Sequence, residues 1–419
     1  MSDRIQEITQ DQFEQEVLTA PRAVVDFFST ECPPCDAFAV KYHRAARLFG
    51  EDIAFYTIFR QGNRELAEKL GVRSSPTVVF FENGVQKKTR LGGAVKNADL
   101  NRELSALLPD GRGQALLAGR EREETDTDVL ILGGGPAGLT AGLYLAQARL
   151  RVLIADPALP GGYVSVTHEV SNYPGFTTPQ KGFMLAHNFY EQARVAGVEF
   201  RGAAEITAVD LKRKTVLLDD IETVRARFLV LATGSAPRPL GIPGEAEYRG
   251  NGISYCATCD AKYYEGKEVV VIGGGNSALE ESLFIAGFAS QVTIVHQFKE
   301  FTARRQAVEE VTAHPKIKTL LGHEPRGFRR SADGASLETE VEELASGRRS
   351  LLTPHGVFIF AGFIPNTDGF GDGLEKDRYG YLVTDENMRT KINGVFAVGD
   401  LRAKKHRQIT TASADGTIA

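Results

Sequence analysis

The chain has no tryptophan, three methionines and four cysteines in 419 residues. It has no apolar run near the roughly 18 residues that a membrane-spanning helix needs. Its opening, MSDRIQEITQ, lacks the apolar centre of a secretory leader. No membrane segment is expected, and the default location is the cytoplasm. Positive charge is not in excess either. The formal net charge is -5, which leaves no electrostatic case for nucleic acid or an acidic membrane surface as a partner.

Cysteine is scarce but not scattered. Cys32 and Cys35 form one Cys-x-x-Cys pair in FFSTECPPCDAF, and Cys256 and Cys259 form the other in SYCATCDAKYY. Structural disulfides are rare in a reducing compartment, so close cysteines there point to metal or redox chemistry. A structural zinc would need all four as ligands. The gap between the pairs is far longer than a zinc ribbon uses, and each pair has its own context. No metal is expected.

What is present is ordinary globular material, 42% hydrophobic and 25% charged, long enough for roughly two or three domains. Residues 1–108 carry two strand-like runs, AVVDFF and PTVVFF, with helix-like sequence such as NRELAEKL between them. That is a small α/β unit. Residues 109–125, PDGRGQALLAGREREET, are polar and glycine-punctuated around a short apolar patch and read as a flexible linker. Beyond them one feature occurs twice, as DVLILGGGPAGLTAGLYLA and EVVVIGGGNSALEESLFIA, an internal repeat of a nucleotide-binding unit.

In the first unit an apolar strand runs into Gly133, Gly135 and Gly138, with Pro136 and Ala137 between the last two, and a helix follows. Glycines so placed allow a tight turn, close approach of backbone to a pyrophosphate, and close helix–strand packing. Asp156, in LRVLIADP, stands near the expected ribose position. The second unit has Gly273, Gly275, Asn276, Ser277 and Ala278, with alanine as the third small residue. Two such units suggest a flavoprotein that holds FAD in one and a nicotinamide in the other.

From residue 128 onward, GGGPAG, EVSNYPGF, LATGSAPR, CATCD, IGGGNSALE, GVFAVGD and RQITTASADG follow in sequence. This series resembles the low-molecular-weight thioredoxin reductases. Residues 1–108, with VVDFF, the first Cys-x-x-Cys, GVRSSPTVVFFENG and LGG, resemble thioredoxin. The combination resembles a reductase fused to its own thioredoxin. Peroxiredoxin reductases place two thioredoxin folds before such a flavoprotein, and this chain has room for one.

The resemblance implies an α/β chain with a thioredoxin fold at 1–108, a linker at 109–125 and two Rossmann-like domains of the pyridine nucleotide-disulfide oxidoreductase type. FAD-domain segments at 126–243 and 363–419 would flank a nicotinamide domain at 244–362 that carries CATC. Gly162, Tyr163, Asn172, Gly399, Asp400, Arg407 and Gln408 would join the first glycine loop around FAD, and His296 would join the second around NADH or NADPH. A homodimer is implied, as is a short tail beyond Ala419.

The resemblance also assigns chemistry. Electrons would pass from nicotinamide to FAD, to Cys256–Cys259, to Cys32–Cys35, and then to a client disulfide. Cys259 would face the flavin, Cys256 would attack the next disulfide, and Asp260 would supply a proton. Cys32, at a helix start that favours a thiolate, would attack the client. Cys35 would resolve the mixed disulfide, with Asp26 as its proton acceptor and a cis Pro76 facing the pair. Some 16 flexible linker residues would give a reach of roughly 20–24 Å and a millimolar effective concentration, with docking in cis or across the dimer.

The sequence departs from the family in several places. NADPH-using members carry H-R-R-x-x-x-R after the second strand, where guanidinium forks suit a 2′-phosphate. Here His296 is followed by Gln297 and Phe298, with Thr302 at the last arginine position. NADH or a relaxed donor is therefore expected over strict NADPH, with Lys299, Arg304 or Arg305 as substitutes and a ferredoxin-type donor as the alternative. Tyr163 replaces a glutamine, as a stacking aromatic or as core. Glu31 and Asp36 flank the first pair where the family has tryptophan and lysine. Nearby negative charge disfavours a thiolate, so a raised Cys32 pKa and a client with a basic docking face are expected. Among enzymes the second reading is an NADH-dependent peroxiredoxin reductase. The non-enzymatic reading, a flavin-loaded redox sensor, needs only one cysteine pair.

Overall fold

A computed structural model describes residues 4–30, 32–167, 169–170 and 172–419, with the side chains of residues 169, 258 and 259 outside the description. Glu31 and the Cys259 side chain thus lie outside the described residues.

The first unit is a five-stranded sheet in the order Ile5–Glu7, Ala54–Phe59, Arg22–Phe28, Thr77–Glu82, Val85–Gly92. The first three strands are mutually parallel and the last two antiparallel. The central strands are buried along almost their whole length, because helices cover both faces of the sheet and no polar face is needed. The helix Pro33–Phe49 buries Phe38, Tyr42, Ala45, Ala46 and Phe49 at helical spacing against Val24, Phe55 and Phe80. Cys32 is its N-cap, and prolines at 33 and 34 open it, where a missing N–H costs nothing.

The connecting segment is not the flexible linker expected. Arg112–Ala118 is a helix, with Leu116 and Leu117 packed on the first domain's core and Arg112 paired with Asp52 at 2.9 Å. The apolar patch in the segment is the partly buried side by which this helix packs on that core. Only residues 119–122 remain before the strand Glu123–Leu132, a tether with an r.m.s. reach of about 10–12 Å.

The second unit is a seven-stranded sheet. Glu199–Arg201, Val152–Ala155, Glu123–Leu132 and Glu222–Leu231 lie side by side in parallel. The far half of Glu222–Leu231 takes Val395–Ala397 from near the C-terminus, also in parallel, while its near half joins an antiparallel meander of Thr215–Leu218 and Ile206–Asp210. The third unit is a five-stranded parallel sheet, Ile253–Ser254, Gly356–Ile359, Glu268–Ile272, Gln291–His296, Ile317–Leu321, with an antiparallel three-stranded flank. Its chain enters and leaves through paired strands Ser235–Pro237 and Phe363–Pro365. The second sheet is thus built from segments on both sides of the third. Among the described residues no helix is long and apolar enough to cross a membrane.

Candidate active site

Each glycine loop links a buried parallel strand to a helix. Gly133 takes φ +108°, and a Cβ there would collide with the Ala232 carbonyl; one on Gly138 would collide with the Gly133 carbonyl. Gly135 caps the helix Pro136–Gln147, with Pro136 at its first position. A Cβ on Gly162 would come 2.8 Å from Gly135 Cα, so the backbones of residues 135 and 162 meet at the loop. Asp156 is buried and accepts from Gly134 N at 2.6 Å and Ala158 N at 2.7 Å. It ties the loop to the end of Val152–Ala155 through contacts that sequence reasoning did not anticipate.

The C-terminal segment closes over this loop. Gly399 N donates to Asp415 Oδ2 at 3.0 Å, and the helix Ile409–Ile418 lies against Pro136–Gln147 so closely that a Cβ on Gly416 would strike the Ala137 carbonyl. Asp400 Oδ1 is buried 3.5 Å from Lys404 Nζ, and burial raises its pKa despite that lysine. Arg407 lies over the Tyr381 ring at 3.8 Å. Gln408 caps the last helix and accepts from Asn172 Nδ2 at 3.0 Å. A carboxylate held beside a bare glycine loop, with only a lysine as its partner, fits a group that brings hydroxyls and a pyrophosphate, as FAD does.

The second loop repeats the geometry. Gly273 takes φ +138°, and a Cβ there would strike the Phe360 carbonyl; Gly275 caps Asn276–Ala286, which contains Ser277 and buries Ala278. His296 packs directly on Gly274, stacks on Phe301 at 5.8 Å and meets Phe298 edge-on. Its Nε2 is buried without a partner, and burial lowers its pKa. That unpaired nitrogen beside the loop fits a nicotinamide dinucleotide. Thr302 N donates to Gly274 O at 2.9 Å, and Arg304 N donates to Asn276 Oδ1 at 2.7 Å, which pins the segment over the loop. The arginines that could replace the missing cations are already paired, Arg304 with Glu280 and Arg305 with Glu309 at 2.7 Å. Lys299 is exposed.

Cys32 and Cys35 are disulfide-bonded with Cα atoms 5.2 Å apart. Cys35 N donates to Cys32 Sγ at 3.3 Å. The Ser75–Pro76 bond is cis, and Cys32 Sγ lies 3.6 Å from Ser75 O. Asp26, in the central strand, is buried with Oδ1 unpartnered, and burial pushes its pKa up to about 7. A proton can therefore be exchanged there near neutrality.

Cys256 is also disulfide-bonded. It precedes the short helix Ala257–Asp260, where Asp260 N donates to Cys256 O at 3.3 Å. Its Sγ lies 3.4 Å from Val166 O. Next to it, Tyr163 OH donates to Tyr255 O at 3.1 Å. Tyr163 is 44% exposed and meets Phe363 edge-on at 5.8 Å. It is neither core nor only a stacking group: it fastens the Cys256 turn to the second unit.

Of the two acids flanking the first pair, Asp36 lies among the described residues. Asp36 accepts from Tyr190 OH at 3.2 Å, and burial raises its pKa, so its carboxylate is held by the FAD domain.

Residues 127–416 match the model for "Pyridine nucleotide-disulphide oxidoreductase" and residues 4–106 the model for "Thioredoxin". A thioredoxin reductase of Peptoclostridium acidaminophilum is 40% identical over 299 residues, covering 70% of this chain and 94% of that one. One from Bacillus subtilis is 36% identical, covering 71% and 93%. The crystal structure of Lactococcus lactis thioredoxin reductase in its FR conformation matches with a TM-score of 0.64 at 34% identity, over 70% of this chain and 96% of that one. The T. acidophilum enzyme gives 0.62 at 32% identity, over 70% and 96%. Two buried glycine loops, a disulfide-bonded cysteine beside each of two short turns, and these matches lead to one conclusion: the chain belongs to the pyridine nucleotide-disulphide oxidoreductases, in their low-molecular-weight thioredoxin reductase branch, with a thioredoxin domain in front.

Proposed function

We propose that the chain is a flavin-dependent disulfide reductase that carries its own thioredoxin substrate, and that it takes electrons from NADH in preference to NADPH. The observation that carries this reading is the coexistence, in one chain, of two cysteine pairs and two glycine loops, the first with Asp400 held beside it by Lys404 and the second with the buried, unpaired His296 Nε2. Bound nicotinamide and FAD supply the electron pair that reduces Cys256–Cys259. The rest is done by the chain's own residues. Cys256, as thiolate, attacks the Cys32–Cys35 disulfide; Cys259 displaces it, re-forming Cys256–Cys259 and leaving Cys32 and Cys35 reduced. Cys32, at the positive end of its helix, then attacks a client disulfide, and Cys35 closes on Cys32 after giving its proton to Asp26. Asp260 is the proton donor for the Cys256 pair.

The donor preference rests on the second loop. A 2′-phosphate would meet Gln297, Phe298 and Thr302, and Arg304 and Arg305 are paired with Glu280 and Glu309. The intact strand, loop and helix of this unit also weigh against a ferredoxin-type donor. We further propose a cytoplasmic homodimer whose clients are protein disulfides, a peroxiredoxin among them. Stopped-flow bleaching of the flavin tests the donor: faster bleaching by NADH is expected, and rapid bleaching by NADPH alone overturns the preference. A comparison of insulin with a peroxiredoxin as substrate identifies the client class.

A further inference from the structure

One face of the helix Pro33–Phe49 contradicts its own amphipathic pattern. Lys41 lies among its buried positions, between Phe38 and Tyr42, and is only 3% exposed. A buried lysine needs partners. Its Nζ donates to Val95 O at 2.8 Å within the thioredoxin domain and to Ala203 O at 2.7 Å in the FAD domain. One turn on, Arg44 pairs with Glu222 and with Glu123 at 2.7 Å, and Arg47 with Glu123 at 2.6 Å. Glu222 is itself buried and held from the other side by Arg201 at 3.0 Å. Burial alone would raise its pKa, but Arg201, Thr125 and Arg44 together bring it down to about 2. Asn97 Nδ2 donates to Asp219 Oδ2 at 2.6 Å, and Lys96 pairs with Glu205 at 2.7 Å.

The contact starts at the residue after Cys35. Asp36 bonds Tyr190, and an ideal Cβ on Gly202 would stand 3.1 Å from Ala37 Cβ, so the absence of a side chain at 202 lets the helix settle. The seam leaves a void of about 10 Å³, no more than one water needs. The hydrogen bonds and ion pairs of Asp36, Lys41, Arg44, Arg47, Lys96 and Asn97 across this seam all land on the FAD domain. Cys32 is 9% exposed and Cys35 6%, while Cys256 rests on Val166.

We propose that the acidic face formed by Glu123, Glu222 and Asp219 is a docking surface for this chain's own thioredoxin domain, which is parked there with Cys32–Cys35 closed to disulfide exchange until the basic face of its helix lets go. This rests on the relay reading for its purpose but not for its test. The four residues 119–122 are the pivot, so release swings the domain rather than freeing it. Electron transfer to clients is then gated by an ionic latch between domains, and ionic strength is a control on it.

The test is the rate at which Cys32 is alkylated in the full-length, chemically reduced protein, read on its proteolytic peptide; neither nicotinamide nor flavin turnover is involved. Glu123→Arg, which leaves the thioredoxin domain's own sequence untouched, sets two arginines against a third. It is expected to raise the rate about tenfold, and high potassium chloride should raise the wild-type rate in the same direction. The reciprocal variant Glu123→Arg/Arg47→Glu, which leaves Arg44 on Glu222, should return toward the wild-type rate. Equal or slower alkylation in Glu123→Arg overturns the proposal, and a wild-type rate that climbs on dilution overturns docking in cis in favour of a second copy. Failure of the relay reading itself would appear separately, as flavin that nicotinamide does not bleach.

Discussion

Replacing Asp26 by asparagine should stabilise the thioredoxin domain, and only above the acid range. The carboxyl lies in the middle of a sheet, one oxygen has no partner, and burial lifts its pKa from 3.8 to about 7. The folded state therefore holds the proton more tightly than the unfolded state does. Its contribution to stability is fully present below pH 4 and is lost as pH rises through 7. About three pKa units correspond to an upper bound of about 4 kcal/mol. Asp26→Asn removes the titration, so its gain over wild type should be near zero at pH 4 and should approach that bound above pH 8. A three-domain chain need not unfold in two states, so the appropriate assay is local: hydrogen exchange of the strand Arg22–Phe28, followed by mass spectrometry over a pH series. A gain that does not vary with pH, or a variant less protected at pH 8, would refute the reasoning. If Asp26 also receives the Cys35 proton, the better-protected variant should reduce insulin more slowly.

Gly138→Val should abolish flavin retention, because its Cβ would occupy the position of the Gly133 carbonyl; the purified variant is expected to lack visible flavin absorbance while the Cys32–Cys35 domain still reduces insulin with dithiothreitol. Glu280→Gln should release Arg304 and raise kcat/KM for NADPH several-fold with little change for NADH, as expected for one unmasked surface cation; an equal change for both donors would contradict the assigned role. The combined variant Glu31→Trp/Asp36→Lys should show a lower Cys32 pKa than wild type in a pH series of alkylation rates, and a higher pKa would contradict the argument from flanking charge. Because Asp36 is bonded to Tyr190, that variant should also loosen the docked domain.

The chemistry of this chain was legible because its signals are local. Each glycine loop sits between a run such as VVVI and a helix, and each cysteine pair has fixed spacing, so strand, turn and thiol can be placed from adjacent residues alone. The docking face was not legible in that way. Arg44 and Arg47 are residues that a helix usually turns to solvent, and the partners of Lys41, Arg44 and Arg47 at 123, 203 and 222 are remote in sequence and belong to another domain. The one available signal was Lys41 itself, a lysine at a position where helical spacing calls for an apolar residue. The linker misled for a related reason. Seven residues between glycines carry weak helix propensity of their own, and Arg112–Ala118 is held by packing of Leu116 and Leu117 on a core that lies earlier in the chain. Asp156 illustrates a third kind of limit: its position beside the loop was anticipated, but its two backbone bonds depend on the turn that follows it.

The central claim is that four cysteines form one electron path. Anaerobic titration of the purified flavoprotein with NADH, followed by counting of newly alkylated thiols, tests it most directly. The account predicts that all four cysteines of the chain become reactive once flavin, Cys256–Cys259 and Cys32–Cys35 have filled in turn. Two new thiols at Cys256 and Cys259, with Cys32–Cys35 still oxidised even at high salt, would contradict it.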